Sequence, residues 1–339
     1  MQIALDAMAG DHGHEELIAG ALLAVEQGDV GVTLVGDESL LRQSLDTLAP
    51  SKAIAARLKI VHSSQVIEMG EHPVDAVRKK KDASVMVAFD LVRRGEADAA
   101  VSAGNSGATM AAAIRKLGRL GSVNRPGIAS FFPTLKKPVV LMDIGANVDC
   151  RPQHLFQFAI MASAFAKIND VVNPRVGLLT IGEETGKGNS LIKETYPLLE
   201  KSTLNFIGNV EGRDVFRGDV DVIVCDGFVG NVCLKVSEGL AEAAMMMLRD
   251  EILKSFLAKI GYLLARGAFK AFRKRVDYAE YGGAPLLGVN GVGIVCHGKS
   301  SSQAIKNAIL EAEKMVKRNV NQDILAILEA SSNVVELEN

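Results

Sequence analysis

Short apolar runs rich in β-branched residues recur along the chain, and most are separated by helix-length stretches whose apolar positions return every three or four residues. The runs predict ten strands, over 2–6, 32–36, 58–62, 97–103, 126–132, 138–144, 175–181, 204–208, 220–226 and 292–296. The longer period predicts helices over 14–27, 38–48, 83–94, 106–118, 153–168, 188–200, 230–250 and 301–318. Parallel neighbours need crossover connections, so the alternation reads as α/β: a three-layer αβα sandwich around a large mixed, mostly parallel sheet. No Ser/Pro-rich linker, low-complexity tract or repeat divides the chain. Its 339 residues, 48% apolar with 32 glycines, suit one α/β domain of two intertwined lobes.

Four of the apolar runs end in a small polar turn that opens straight into a helical stretch: 3–11, 99–108, 140–149 and 222–231. Outside the carboxyl ends of strands, such turns meet ligands, and helix N-termini offer N–H groups to anions. Ser102-Ala103-Gly104-Asn105-Ser106-Gly107 has two glycines that let the backbone wrap an oxyanion, with Ser102 and Asn105 as further donors. Asp226-Gly227-Phe228-Val229-Gly230-Asn231 has the same shape, with Lys235 one turn into the next helix. Asp143 and Asn147 flank a third turn, where capping and turn formation explain them as well as binding does. Asp6 and Asp11 bracket the first, where a carboxylate would repel phosphate yet orient a lysine or an amide. The loop 181–189 contributes a glycine-flanked Lys187, the first choice of cation.

Net charge, −2, gives no bias toward nucleic acid, so an anionic partner must meet a local basic patch. Arg78-Lys79-Lys80-Lys81 is one such run and could dock an acidic protein. The stretch 252–276 is another, with seven cations, no acid and apolar residues at helical spacing. It reads as an amphipathic segment for an anionic membrane surface, a dimer contact, or both.

Several chemistries are excluded. Gly293–Ser300 matches Gly-x-x-x-x-Gly-Lys-Ser, but Ile294, Val295 and Cys296 read as strand, and no later strand supplies an Mg²⁺-binding aspartate. A helix start at 298–301 could still meet an anion. No Gly-x-Gly-x-x-Gly follows the first strand, no Gly-x-Ser-x-Gly elbow appears, and the six histidines form no helical metal-ligand pair. The four cysteines lack Cys-x-x-Cys spacing and are expected as free thiols in a reducing cytoplasm. Neither a secretory signal nor a membrane span is expected.

The turns in combination, Asp6–Asp11, Ser102–Ala108, Arg125-Pro126, Asp143–Asp149 and Asp226–Asn231, resemble the bacterial acyl-ACP:phosphate acyltransferases, the PlsX family. Tyr281–Gly288 and His297-Gly298 are similar to its C-terminal motifs, and the resemblance runs in order from residue 1 to about 320. Ala9, Ser106 and Val229 stand where the family usually has Gly, Thr and Thr. The resemblance implies a fold like that of isocitrate and isopropylmalate dehydrogenases and phosphotransacetylases. It also implies attack of inorganic phosphate on a long-chain acyl-acyl carrier protein, giving acyl phosphate for a membrane glycerol-3-phosphate acyltransferase. A homodimer is implied, and no cofactor or metal is expected.

Phosphate is already an anionic nucleophile, so the expected task is to hold it and stabilise a tetrahedral oxyanion. The expected assignment gives phosphate to Ser102–Gly107 and Asn231, charge neutralisation to Lys187 and Lys235, and orientation to Asp226 and Asn147. Asp6, Asp11, Asp143, Gly230 and Gly283 complete the expected substrate contacts. The alternatives are a short-chain phosphotransacetylase, a decarboxylating dehydrogenase and a membrane-surface scaffold.

Overall fold

The computed structural model describes residues 1–276 and 282–336, excluding the side chains of 273, 274, 276 and 332–336. Tyr281 and the side chains of Arg273 and Lys274 therefore lie outside the described residues. β1 (Gln2–Asp6) leads into α1 (His14–Gln27), and β2 (Gly31–Gly36) into α2 (Glu38–Leu48) and the short α3 (Lys52–Ala55). After β3 (Leu58–His62) come α4 (Pro73–Lys79) and α5 (Ser84–Arg93), then β4 (Ala99–Ser102) and α6 (Ser106–Leu117). A hairpin of β5 (Gly127–Phe132) and β6 (Val139–Met142) precedes α7 (Pro152–Ala166), β7 (Arg175–Leu179), α8 (Ser190–Glu200), β8 (Asn205–Val210) and β9 (Val222–Val224). Three consecutive helices follow: α9 (Gly227–Lys254), α10 (Phe256–Leu264) and α11 (Arg266–Val276). β10 (Ala284–Leu287), β11 (Val292–Val295), α12 (Ser302–Lys317) and α13 (Val320–Glu336) complete the order.

All ten expected strands form, and β10 is an eleventh. It is four residues long, contains Pro285, and is flanked by Gly282, Gly283 and Gly288 at positive φ, so its local pattern reads as a turn. The sheet order is β3-β2-β1-β4-β11-β10-β5-β6-β9-β7-β8. Most pairings are parallel, as expected, but β10 runs antiparallel to both neighbours and β5 antiparallel to β6. The polarity of the sheet therefore changes across its middle. β1 to β5 and β11 point one way, whereas β10, β6, β9, β7 and β8 point the other.

Alternate residues on the strands enter two separate cores, as a sheet buried on both faces requires. Ile3, Leu5, Ala99 and Val101 face α1, α7 and α12, and Ala4 and Ala100 face α5 and α6. α7 is buried over most of its length, and Phe158 and Phe165 are fully enclosed. Burying one such side chain contributes about 1.5–3 kcal/mol.

α9 departs from this plan. Capped by Asp226, it starts three residues before the expected 230, its 28 residues span about 40 Å, and only Gly227 and Gly230 on it are buried. Ser255 ends it and caps α10 by accepting from the Ala258 N–H, and α10 buries none of its residues. The stretch 252–276 is thus helical, as expected, but in three pieces.

Candidate active site

The change of polarity separates the four polar turns into two sets. The turns after β1 and β4, and the loop after β11, lie at one end of the strands, here the first end. The turns after β6 and β9, and the loop after β7, lie at the second. Register places Asp143 beside Ile128 at the start of β5, whereas Ser102 closes β4 at the other margin. Four strand spacings and about two residues of rise put Ser102 and Asp143 on the order of 20 Å apart. The Ser102–Gly107 turn, expected to share a phosphate with Asn231, thus stands at the opposite end of the sheet from the Gly145 turn that Asn231 packs against.

At the second end the expected ligands are committed to the fold. The Asp143 carboxylate is fully buried and accepts N–H bonds from Ile128 (3.1 Å), Gly145 (3.3 Å), Ala146 (3.1 Å) and Asn147 (2.7 Å), plus the Asn147 amide at 2.9 Å. Burial pushes its pKa up, and these donors pull it back. The Asn147 amide also donates to the Pro126 carbonyl, and Asp226 caps α9 through the Val229 N–H at 2.9 Å. Gly230 packs so tightly that a Cβ there would stand 1.9 Å from the Asp143 carbonyl oxygen. Asn231 and Lys187 remain exposed at this end. Lys235, farther along α9, pairs with Glu238 at 2.8 Å.

The first end is built differently. Asp6, 1% exposed, accepts the Ser102 hydroxyl proton at 2.8 Å, and Ser102 Oγ in turn accepts the Gly104 N–H at 3.2 Å. Both side chains lie beneath the turn, which corrects their expected role as direct ligands. Burial raises the Asp6 pKa against the pull of the Ser84 and Ser102 hydroxyls. Asn105 caps α6 by accepting from the Ala108 N–H at 3.0 Å, while its amide ties down the Met69 carbonyl at 2.9 Å. The N–H groups of Ser106 and Gly107, the first two of α6, have no acceptor among the described residues, and both residues are exposed. Free N–H groups at a helix N-terminus suit an anion, and this start of α6 is the candidate anion seat.

Neighbouring chain walls this seat. Gly107 abuts Pro73 at the start of α4, and Ala9 touches Gly104. Gly10 sits between Ala103 and the Gly298 carbonyl, which accepts the Asp11 N–H at 2.7 Å. Asp11 is exposed beside Gly298. Gly283 packs on β11 with no room for a side chain, so it shapes the sheet rather than meeting a ligand. The start of α12 already has its anion: Ser302 N–H donates to Glu16 at 2.6 Å and Ser301 caps the helix. That corrects the expectation of an anion at 298–301. In the basic run, Lys80 is a strut to Glu71 and the Val66 carbonyl, whereas Arg78, Lys79 and Lys81 are exposed near the seat.

His297 and Lys299, absent from the expected set, are exposed on the loop that leaves β11 beside Ser102. They border a groove of about 1330 Å³ between the β5–β6 hairpin and the arm of α9 to α11. The sequence signal was the Gly293–Ser300 pattern, whose apolar half is indeed β11. Burial disfavours the thiolate form of the cysteines: it pushes Cys150 up to about 11 and Cys296 up to about 12, and Cys225 is raised as well. Among the described residues no group of His, Cys, Asp and Glu could hold a metal ion, and no helix is long and apolar enough to cross a membrane.

The family model described as fatty acid synthesis protein matches residues 1–323. The chain belongs to that family. A relative named phosphate acyltransferase from Pelobacter propionicus is 52% identical over 337 residues, covering 99% of this chain and 96% of the relative. One of the same name from Geotalea uraniireducens is 54% identical over 323 residues, covering 95% and 92%. Among solved structures, the EutD phosphotransacetylase from Staphylococcus aureus superposes with a TM-score of 0.61 at 17% identity, covering 94% of each chain. A 4-hydroxythreonine-4-phosphate dehydrogenase from Klebsiella pneumoniae gives 0.54 at 14%, covering 93% and 99%. These two likenesses concern the fold, and they agree with the expected dehydrogenase-like architecture.

Proposed function

We propose that this member of the fatty acid synthesis protein family is a phosphate acyltransferase acting on long-chain acyl-acyl carrier protein. Inorganic phosphate attacks the thioester carbonyl, the C–S bond breaks, and acyl phosphate and the carrier thiol leave, the thiolate taking the proton that phosphate gives up. The observation that carries this reading is the pair of unpartnered N–H groups at Ser106 and Gly107 over a rigid base. It suits a reaction in which holding and aligning an anion is the main task. The high thiol pKa values agree with direct attack by phosphate rather than by a protein nucleophile. Arg78, Lys79 and Lys81 offer an acidic carrier a landing surface beside the seat.

In this reading the enzyme works as a homodimer on a membrane surface. Val229, Val232, Val236, Leu240 and Met247 form one exposed stripe along α9, suited to a second copy. Phe256, Leu257, Leu263 and Leu264 on α10 are 67–83% exposed beside Lys259 and Arg266, suited to anionic lipid. The test is phosphate-dependent loss of a long-chain acyl carrier thioester, with the acyl phosphate trapped by hydroxylamine and acetyl-CoA run in parallel. Product from the long-chain carrier is expected; product from acetyl-CoA alone would make the enzyme a phosphotransacetylase.

A further inference from the structure

We propose that the groove between the β5–β6 hairpin and the α9–α11 arm seats the acyl chain, and that Ala241 and Met245 on α9 set the length it accepts. This rests on the acyl-transfer reading above. The groove's volume, about 1330 Å³, exceeds the roughly 300–1,000 Å³ that enclose a drug-sized molecule. Its apolar lining comes from Phe131 and Phe132 on β5, from Leu234, Met245 and Ile252 on α9, and from Phe269 on α11. Its polar wall is mainly cationic: Arg249, Lys259, Arg266, Lys270 and Lys299 have no acidic partner among the described residues, against two carboxylates, Glu242 and a Glu238 already paired with Lys235. Apolar lining under unpaired cations is complementary to a single-chain amphiphile with an anionic head, such as an acyl phosphate.

Two further observations select this occupant. The groove begins at His297 and Lys299, and their loop touches the anion seat through Gly10 and Gly298, so a chain in the groove has its reacting end near the seat. It reaches α10 at Lys259 and Tyr262, a length suited to an extended chain. A second copy of the protein has a different surface available. At 3.6 residues per turn, Leu234, Ala241, Met245 and Ile252 share one face of α9, while the exposed stripe of Val232, Val236, Leu240 and Met247 lies on the opposite one.

Ala241→Trp and, separately, Met245→Trp narrow the groove midway. Each methylene forced out into water lowers kcat/KM about fourfold, so displacing two or three reduces turnover of a hexadecanoyl carrier by about 15- to 60-fold. An octanoyl carrier is expected to stay within about twofold of wild type. Displacement of cis-parinaric acid by hexadecanoyl phosphate measures the same loss without requiring turnover. Equal losses at both chain lengths, with unchanged displacement, would overturn the proposal. So would a changed oligomeric state by light scattering, which would give the groove to a second copy, or weakened vesicle flotation with an unaltered chain-length profile, which would give it to bilayer lipid. A wild-type protein that binds hexadecanoyl phosphate in the groove but transfers no acyl group would refute the acyl-transfer reading and leave the chain seat standing.

Discussion

The two ends of the sheet contain turns of the same composition and do different work. At the second end, Asp143, Asn147 and Asp226 donate to or accept from their own backbone until little capacity is left, and Gly230 closes the packing. At the first, Asp6 and Ser102 support the turn from below, and the seat itself consists of the N–H groups of Ser106 and Gly107. The difference teaches that a Gly/Asn/Asp turn becomes a site through the hydrogen bonds it leaves unmade. The rigidity of the second end has a function of its own, since it roots the 28-residue α9.

The contrast is broken most forcefully at Asp143. Asp143→Ala strands four buried or half-buried N–H groups and is expected to cost about 4 kcal/mol or more, read as a fall in Tm in thermal unfolding. A variant as stable as wild type would mean that Asp143 is not an anchor and restore it as a ligand candidate. Reversing Arg78, Lys79 and Lys81 to Glu is expected to raise KM for the acyl carrier about three- to tenfold at low salt, with KM for phosphate unchanged. An unaltered carrier KM would remove this run from docking.

Asp6 gives a pH signature. Its native pKa is raised above 3.8 by burial, so the native state holds the proton more tightly than the unfolded chain. The stability this group contributes is present below about pH 4 and lost as pH rises through the raised native value. Asp6→Asn abolishes that titration. The stability of the variant relative to wild type should therefore climb with pH, by at most about 1.4 kcal/mol per pH unit between the two pKa values, in urea titrations from pH 4 to 7. A flat difference would mean that Asp6 is ionised throughout at no cost. The smallest effect is expected at Lys187: if one chain's first end suffices, Lys187→Ala leaves kcat within about threefold. A hundredfold loss would instead show that a second copy brings the two ends together.

Much of this was legible in the sequence. Most expected strands form as apolar runs buried on both faces, the edge strands β3 and β8 being partly exposed, and the caps at Asn105, Asn189 and Asp226 stand at polar turn residues. β10 was hidden because Pro285 and its flanking glycines look like a turn, and that one strand, with the β5–β6 hairpin, decides which turns share an end. Pairing between residues more than 100 positions apart leaves no local trace. Nor could composition distinguish Lys80, a strut to Glu71, from its exposed neighbours. In sequence the turn at 143–147 is compatible with capping and with binding alike, since the same oxygen atoms serve either role.

The claim that phosphate sits at the start of α6 is tested most directly by Ser106→Pro. Proline is accepted at the first helical position, and Asn105 already has the extended backbone that precedes it, so the change deletes one N–H of the seat and keeps the helix. In steady-state acyl transfer, kcat/KM for phosphate is expected to fall about 10- to 100-fold, with Tm and KM for the acyl carrier near wild type. An unchanged phosphate dependence in the folded variant would contradict the assignment and move the site away from the first end of the sheet.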